Sequence, residues 1–239
     1  MKKKILTIVG ASVALLALGF VGFVWWYLQP HAEPRPLPAD LVSATASQGQ
    51  TLLRDADARA DLRLLSEHFV AQDLKSYCGV ASGVTVLSAL GQDVTQQTFF
   101  TDDAERVRTR LAVTLGGMTL PDLGDLLRAH GATVSVHHAD TFTVAQFRET
   151  VTSNLSQADD FLIVNYQREV LGQSRVGHIS PLAAYDADTD LVLVMDTASH
   201  YYPHSWVSLE KLYAAMATID ASSGEMRGYL FVTGPGEPI

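Results

Sequence analysis

One thiol, one imidazole and one carboxylate in this chain have the types and surroundings of a nucleophile with its base. Cys78 is the only cysteine among 239 residues. It stands in Ser76-Tyr77-Cys78-Gly79-Val80-Ala81-Ser82, where an irregular segment turns into an apolar helix. Unpaired N–H groups at a helix start stabilise a thiolate and lower its pKa, and the thiolate is the attacking species in covalent catalysis. The competing reading is a small buried hydrophobe. Gly177-His178-Ile179-Ser180-Pro181 and the later Asp196 offer the partners. They lie on two strand-like runs joined by the turn-rich residues 186–190, so His178 is expected opposite residues near Asp196, at about 5 Å. A carboxylate beside a histidine fixes its tautomer; a satisfied polar couple at a sheet end is the alternative. Gln72, in the loop before the cysteine, could aim its amide at a developing oxyanion together with the Cys78 backbone N–H; a solvated loop glutamine is the competing reading and the stronger one for this residue taken alone.

The elements that must carry these residues follow from periodicity. Residues 55–69 read as a helix with Leu62, Leu65 and Phe69 on one face. Residues 78–90 form a second helix ended by Gly91. Residues 95–115 are weakly helical. Thr119 with Asp122, and Thr143 with Gln146, have the spacing of capping boxes that open helices ending near residues 131 and 155. Strands are expected at residues 134–138, 161–166, 178–185, 191–196 and 229–233, and Ser208 caps a last helix. Helices come first and a mostly antiparallel sheet follows, which is α+β segregation.

Three lysines precede an uncharged run over residues 5–28, long enough to cross a bilayer and closed by Trp25, Trp26 and Tyr27. The expected organisation is a transmembrane signal-anchor at 1–28, a proline-containing linker at 29–45 and a catalytic domain at 46–239. The lysines put that domain on the periplasmic side of a bacterial-type inner membrane. A cleaved signal peptide is the alternative, with no small-residue cleavage site evident. The net charge of −9 argues against nucleic acid as a partner. A single cysteine excludes an internal disulfide and a cysteine-rich zinc site. His137-His138 on a strand point to opposite faces, and His200 and His204 flank Pro203 and so do not share a helix face. No metal site and no required cofactor are expected.

These motifs, taken in order, resemble the phytochelatin synthases. The resembling residues are Tyr77 to Ser82, Gly172-Gln173-Ser174, Gly177 to Pro181 with Tyr185, Leu193-Val194-Met195-Asp196, Tyr202-Pro203, Trp206-Val207, Ile219-Asp220 and Arg227-Gly228-Tyr229. The resemblance implies a papain-like domain acting on glutathione or a related γ-glutamyl peptide. Cys78 attacks the Cys–Gly carbonyl, His178 is base and then acid, Asp196 orients it, and Gln72 serves the oxyanion. The γ-Glu-Cys group passes to water or to a second glutathione, with heavy-metal ions entering as activators or as substrate thiolates. Tyr77 and Gly177 are carried over as substrate-binding residues. Three features depart: Ser199 replaces an arginine three residues past the aspartate, Arg175 replaces a glycine three residues before the histidine, and Asp73-Leu74-Lys75-Ser76 stands where the plant members carry an acidic residue and a proline before the cysteine. Arg175 is therefore expected to supply the missing cationic contact. The plant members continue into a cysteine-rich region that this chain does not carry, so hydrolysis is expected to dominate, without metal-responsive enhancement through such a region. A peptidase or amidase for another γ-glutamyl or cell-wall peptide, and a non-catalytic binding domain on an anchor, are the rival functions.

Overall fold

The computed structural model describes residues 2–236; the side chains of residues 2–11, 13 and 14 lie outside the described set. Among the described residues the order is α1 (Lys2–Leu28), β1 (Val42–Ser43), α2 (Ser47–Asp55), α3 (Leu62–His68), α4 (Cys78–Ala89), α5 (Asp102–Val107), α6 (Arg110–Gly116), α7 (Leu120–Ala129) and β2 (Thr133–His138). Then come α8 (Val144–Leu155), β3 (Asp160–Gln167), a 3₁₀ turn (Arg168–Leu171), β4 (Gly177–Asp186), β5 (Leu191–Val194), β6 (Ser205–Ser208), α9 (Leu209–Met216) and β7 (Gly228–Thr233). The strands make one antiparallel sheet in the order β1-β6-β5-β4-β3-β7-β2. The α+β class is as expected.

Both faces of the sheet are covered. Phe161, Ile163, Ile179 and Leu230 face a core shared with α3, α4 and α7. Leu162, Val164, Leu182 and Tyr229 face a second core under α8 and α9. This explains why β3 reads as an unbroken apolar run although its neighbours are antiparallel: alternate side chains enter two different cores. The capping boxes at Thr119–Asp122 and Thr143–Gln146 form as their spacing predicts.

Three expectations change. The helix over 55–69 is cut to Leu62–His68, because Ala58 pairs with Tyr185 and draws residues 56–61 onto the sheet. Residues 95–115 break into a turn and two short helices, with Thr101 and Thr109 each capping one. The segment over 29–39 is extended but is no free tether: Arg35 N donates to Tyr201 O at 2.8 Å and Leu37 packs on the second core. Among the described residues no helix is long and apolar enough to cross a membrane. The expected anchor over 5–28 includes residues 5–11, 13 and 14, whose side chains lie outside that set.

One buried group carries a stability prediction. Asp61 is fully buried, and its carboxylate has no partner beyond a weak approach to the Asp159 backbone amide. Burial, with Asp160 nearby, pushes its pKa from 3.8 up to about 8. A carboxyl raised in the folded state keeps its proton where the unfolded chain has lost it. The folded state therefore loses stability as pH rises from about 4 to about 8. Asp61→Asn removes that loss and is expected to gain about 1–3 kcal/mol at pH 8 and little at pH 4. Melting curves of both proteins across that range check it; parallel curves contradict it.

Candidate active site

Cys78 is the first residue of α4. The helix is held on β4 by Ser82, whose hydroxyl donates to Cys78 O at 2.8 Å and reaches Ile179 O at 3.1 Å. Gly79 permits the close approach: a Cβ there would sit 2.5 Å from Met118 Sδ and 3.3 Å from Ile179 Cδ1. His178, the second residue of β4 and buried, lines the same two cavities as Cys78.

Asp196 lies two residues beyond the end of β5, where Met195 N still bonds Pro181 O at 2.9 Å. Continued from the Leu182–Val194 pair, the register puts Asp196 opposite Ser180 and so diagonally across from His178; the one-residue shift between Leu182 and Ala184 is what turns Asp196 onto the face of His178. The two share a face, and a diagonal neighbour is within side-chain reach. His178 Nε2 meets Asp196 Oδ1 at 3.0 Å. With Nε2–H donating to the carboxylate, Nδ1 is the ring nitrogen left as acceptor.

A residue that sequence reasoning missed completes this arrangement. Arg168 opens the 3₁₀ turn after β3 and is 2% exposed. Its Nη2 donates to Asp196 Oδ1 at 2.6 Å, and its Nη1 to Gln173 Oε1 at 2.5 Å. The guanidinium lies 5.1 Å from the Tyr202 ring centroid. Ala198 N adds a third donor to the same carboxylate oxygen, at 2.8 Å. The available signal was an arginine at the end of a buried strand, followed by Gln173 in a motif already noted.

The electrostatics invert the expected resting state. Burial pushes the Cys78 thiol up, against smaller opposing effects of backbone amides and Arg168. Cys78 is only partly buried by surface; it meets solvent through cavity mouths, which limits the rise. The α4 N-terminus favours a thiolate, but removal from water outweighs it. Burial, reinforced by Arg168, lowers His178 to about 4. Burial alone would raise Asp196, but His178 and Arg168 outweigh it and hold the carboxyl well below its ordinary range. The resting pair is a neutral thiol beside a neutral imidazole, next to an ionised Asp196.

Two cavities meet at Cys78 and His178. One, of about 290 Å³, is walled by Met118, Asn165, Asp220 and Arg227. Asn165 Nδ2 donates to Asp220 Oδ2 at 3.4 Å, Arg227 Nη2 lies 3.7 Å from Asp220 Oδ1, and Arg227 Nε is buried without a partner. The other, of about 260 Å³, is walled by Arg35, Gln72, Arg168, Tyr201 and Tyr202. Lys75 and Gly177 line both. Gly177 is thus where a substrate-binding residue was expected, and a Cβ there would sit 3.0 Å from Arg227 Nη2.

Other expected site residues fall differently. Gln72 is buried at the second cavity, with Nε2 donating to Leu74 O and Lys75 O, both at 2.9 Å. Both amide protons are committed, so an oxyanion role requires exchanging one of these bonds. Tyr77 is turned into the core, its hydroxyl 3.0 Å from Thr114 Oγ1, and lines neither cavity. Arg175 lines neither cavity: its side chain is 83% exposed and pairs with Glu169 at 3.3 Å.

Residues 32–229 match the family model described as phytochelatin synthase. Glutathione gamma-glutamylcysteinyltransferase 3 of Lotus japonicus is 35% identical over 175 residues, covering 71% of this chain and 36% of that protein. Glutathione gamma-glutamylcysteinyltransferase 1 of Arabidopsis thaliana is 31% identical over 218 residues, covering 87% and 44%. The corresponding Schizosaccharomyces pombe protein is 24% identical over 207 residues, covering 83% and 50%. The matched region is a third to a half of the length of these relatives.

Proposed function

The chain belongs to the phytochelatin synthase family, and from that premise we propose that it cleaves the Cys–Gly bond of glutathione through a γ-Glu-Cys acyl-enzyme on Cys78. The observation that carries the reading is the Cys78–His178–Asp196 arrangement at the junction of two cavities. In this reading His178 Nδ1 takes the thiol proton as Cys78 Sγ bonds the peptide carbonyl. The first-turn N–H groups of α4, which have no intrahelical acceptors, face the oxyanion. His178 returns the proton to the glycine nitrogen as the C–N bond breaks. Water then attacks the thioester in the dominant branch, and the amine of a second glutathione does so in the minor one. A helix-borne thiol facing a sheet-borne His–Asp pair is also the papain-like arrangement.

The opposite charges of Asp220 and Arg227 suit the α-amine and α-carboxylate of a γ-linked glutamate, and the unpartnered Arg227 Nε is a donor for that carboxylate. A heavy-metal ion enters here as a thiolate of the substrate. The membrane anchor remains part of the proposal. Nine large apolar side chains on the described part of α1, among them Leu15, Phe20, Trp25 and Tyr27, are 57–75% exposed, an extent that suits an apolar surrounding. The lysines before them favour an extracytoplasmic catalytic domain.

The test is linkage discrimination by the full chain. Glycine release, followed by mass spectrometry, is expected from glutathione and to fall by about 100-fold or more for the isomer with an α-linked glutamate, which leaves the charged pair unmatched. Equal turnover of the two isomers contradicts the γ-glutamyl assignment and favours a general peptidase.

A further inference from the structure

We propose that Arg35, on the extended segment before the domain, is the carboxylate-binding residue of an acyl-acceptor subsite in the second cavity; the proposal rests on the acyl-transfer reading above. The two cavities share the reacting pair but differ in charge. The first carries both signs. The second is lined by Arg35, Lys75 and Arg168, and none of the described residues lining it is acidic. Its ligand is therefore an anion.

Arg35 is the cation of that wall best placed to hold one. Arg168 is engaged by Asp196 and Gln173. Lys75 Nζ donates to Tyr27 O at 2.6 Å and lies 4.6 Å from the Tyr27 ring centroid. Arg35 meets the Tyr202 hydroxyl, a neutral partner on the same wall, and has Glu33 at 3.9 Å, a loose pair between exposed side chains, so neither partner neutralises it as Asp196 does Arg168. Its position is nonetheless built. The backbone bond to Tyr201 O holds the extended segment, the guanidinium lies 4.8 Å from the Tyr201 ring centroid, and Pro38 packs closely on Gly172. The segment over 29–39 thus forms one wall of the site.

The chemistry selects the ligand class. An acceptor whose α-amine and α-carboxylate share one carbon can be held by the carboxylate with the amine at the thioester. The amine nitrogen bonds the acyl carbon, the C–Sγ bond breaks, and the proton lost by nitrogen passes through His178 to the Cys78 sulfur. Water reaches the same carbon but carries no group for Arg35. The residue therefore biases the partition between transfer and hydrolysis, and it is a specificity residue.

The experiment uses the full chain, glutathione over a range of concentrations, and the ratio of γ-Glu-Cys oligomer to free γ-Glu-Cys. Because both products leave one acyl-enzyme, the ratio is independent of the acylation rate. Arg35→Ala is expected to lower it by about tenfold or more at subsaturating glutathione, as befits a lost charge-assisted contact, and Arg35→Lys to restore part of it. An unchanged ratio in Arg35→Ala overturns the proposal. So does an unsubstituted chain that yields γ-Glu-Cys but no oligomer at any concentration. Absence of Cys78-dependent glycine from the unsubstituted chain overturns the acyl-transfer reading as well, which separates the two failures.

Discussion

Cys78→Ala is expected to remove glycine release from glutathione, a fall of about 10⁴-fold or more, while the protein melts within a few degrees of the parent. The size follows from losing the atom that carries the acyl group, because the remaining histidine and backbone donors then have no covalent intermediate to serve. The intact fold follows from the packing. α4 is held by the surrounding core residues and by the Ser82 bonds to Cys78 O and Ile179 O, none of which uses the thiol. The control measurement is iodoacetamide labelling across pH. With the thiol pushed up and His178 pushed down, the free enzyme is not a preformed thiolate–imidazolium pair, and labelling should climb through pH 8 without a plateau near pH 6. Glycine release should instead persist in mild acid, because His178 keeps its basic nitrogen until well below the ordinary histidine range. A labelling plateau near pH 6 would show a stabilised thiolate and contradict the neutral pair; full activity in Cys78→Ala would remove covalent catalysis at this residue.

Arg168→Met is the second large effect, and it has two parts. Asp196 would remain buried with one cation fewer, and breaking a buried pair from one side costs about 3–5 kcal/mol. The guanidinium also holds His178 down, so removing it leaves the Asp196 charge to act on the imidazole alone. The His178 pKa must rise, and the acid limb of glycine release must move toward neutral pH. Arg168→Lys keeps the charge but cannot reach Asp196 and Gln173 with one planar fork; it should keep the acid limb near that of the parent while losing part of the stability. If Arg168→Met is too unstable to assay, Gln173→Ala loosens the same guanidinium from one side and should show a smaller shift of the same sign. A folded Arg168→Met protein with an unmoved acid limb would show that Arg168 supports the fold without positioning the pair.

The parts of the site that were readable before the fold are those written in local spacing. The turn at 186–190 joins two strands, Cys78 begins a helix, and the two capping boxes open α7 and α8, because each depends on residues within about four positions of one another. The His178–Asp196 pair was readable at one remove. The hairpin brought the two strands together, but only the one-residue shift at Leu182/Ala184 put Asp196 on the same face as His178.

Residues 47–55 and 205–208 form α2 and β6 without having been recognised. β6 is short and is specified by its pairing with β5 and β1. α2 lies against β1 and contributes only Gly49 and Leu52 to the interior.

By itself, then, the chain determined its family, its α+β class, the nucleophile-bearing helix and the strand pair that offers its base. Tertiary structure alone decided which arginine serves the carboxylate, that Tyr77 faces the core, that Gln72 is bound to its own loop, and that Arg35 reaches the second cavity. The reason is physical. Helix starts, turns and strands depend on short-range backbone preferences and side-chain period. Charge state and partnership depend on desolvation and on contacts between positions far apart in sequence, such as Arg168 with Asp196 and Arg35 with Tyr201.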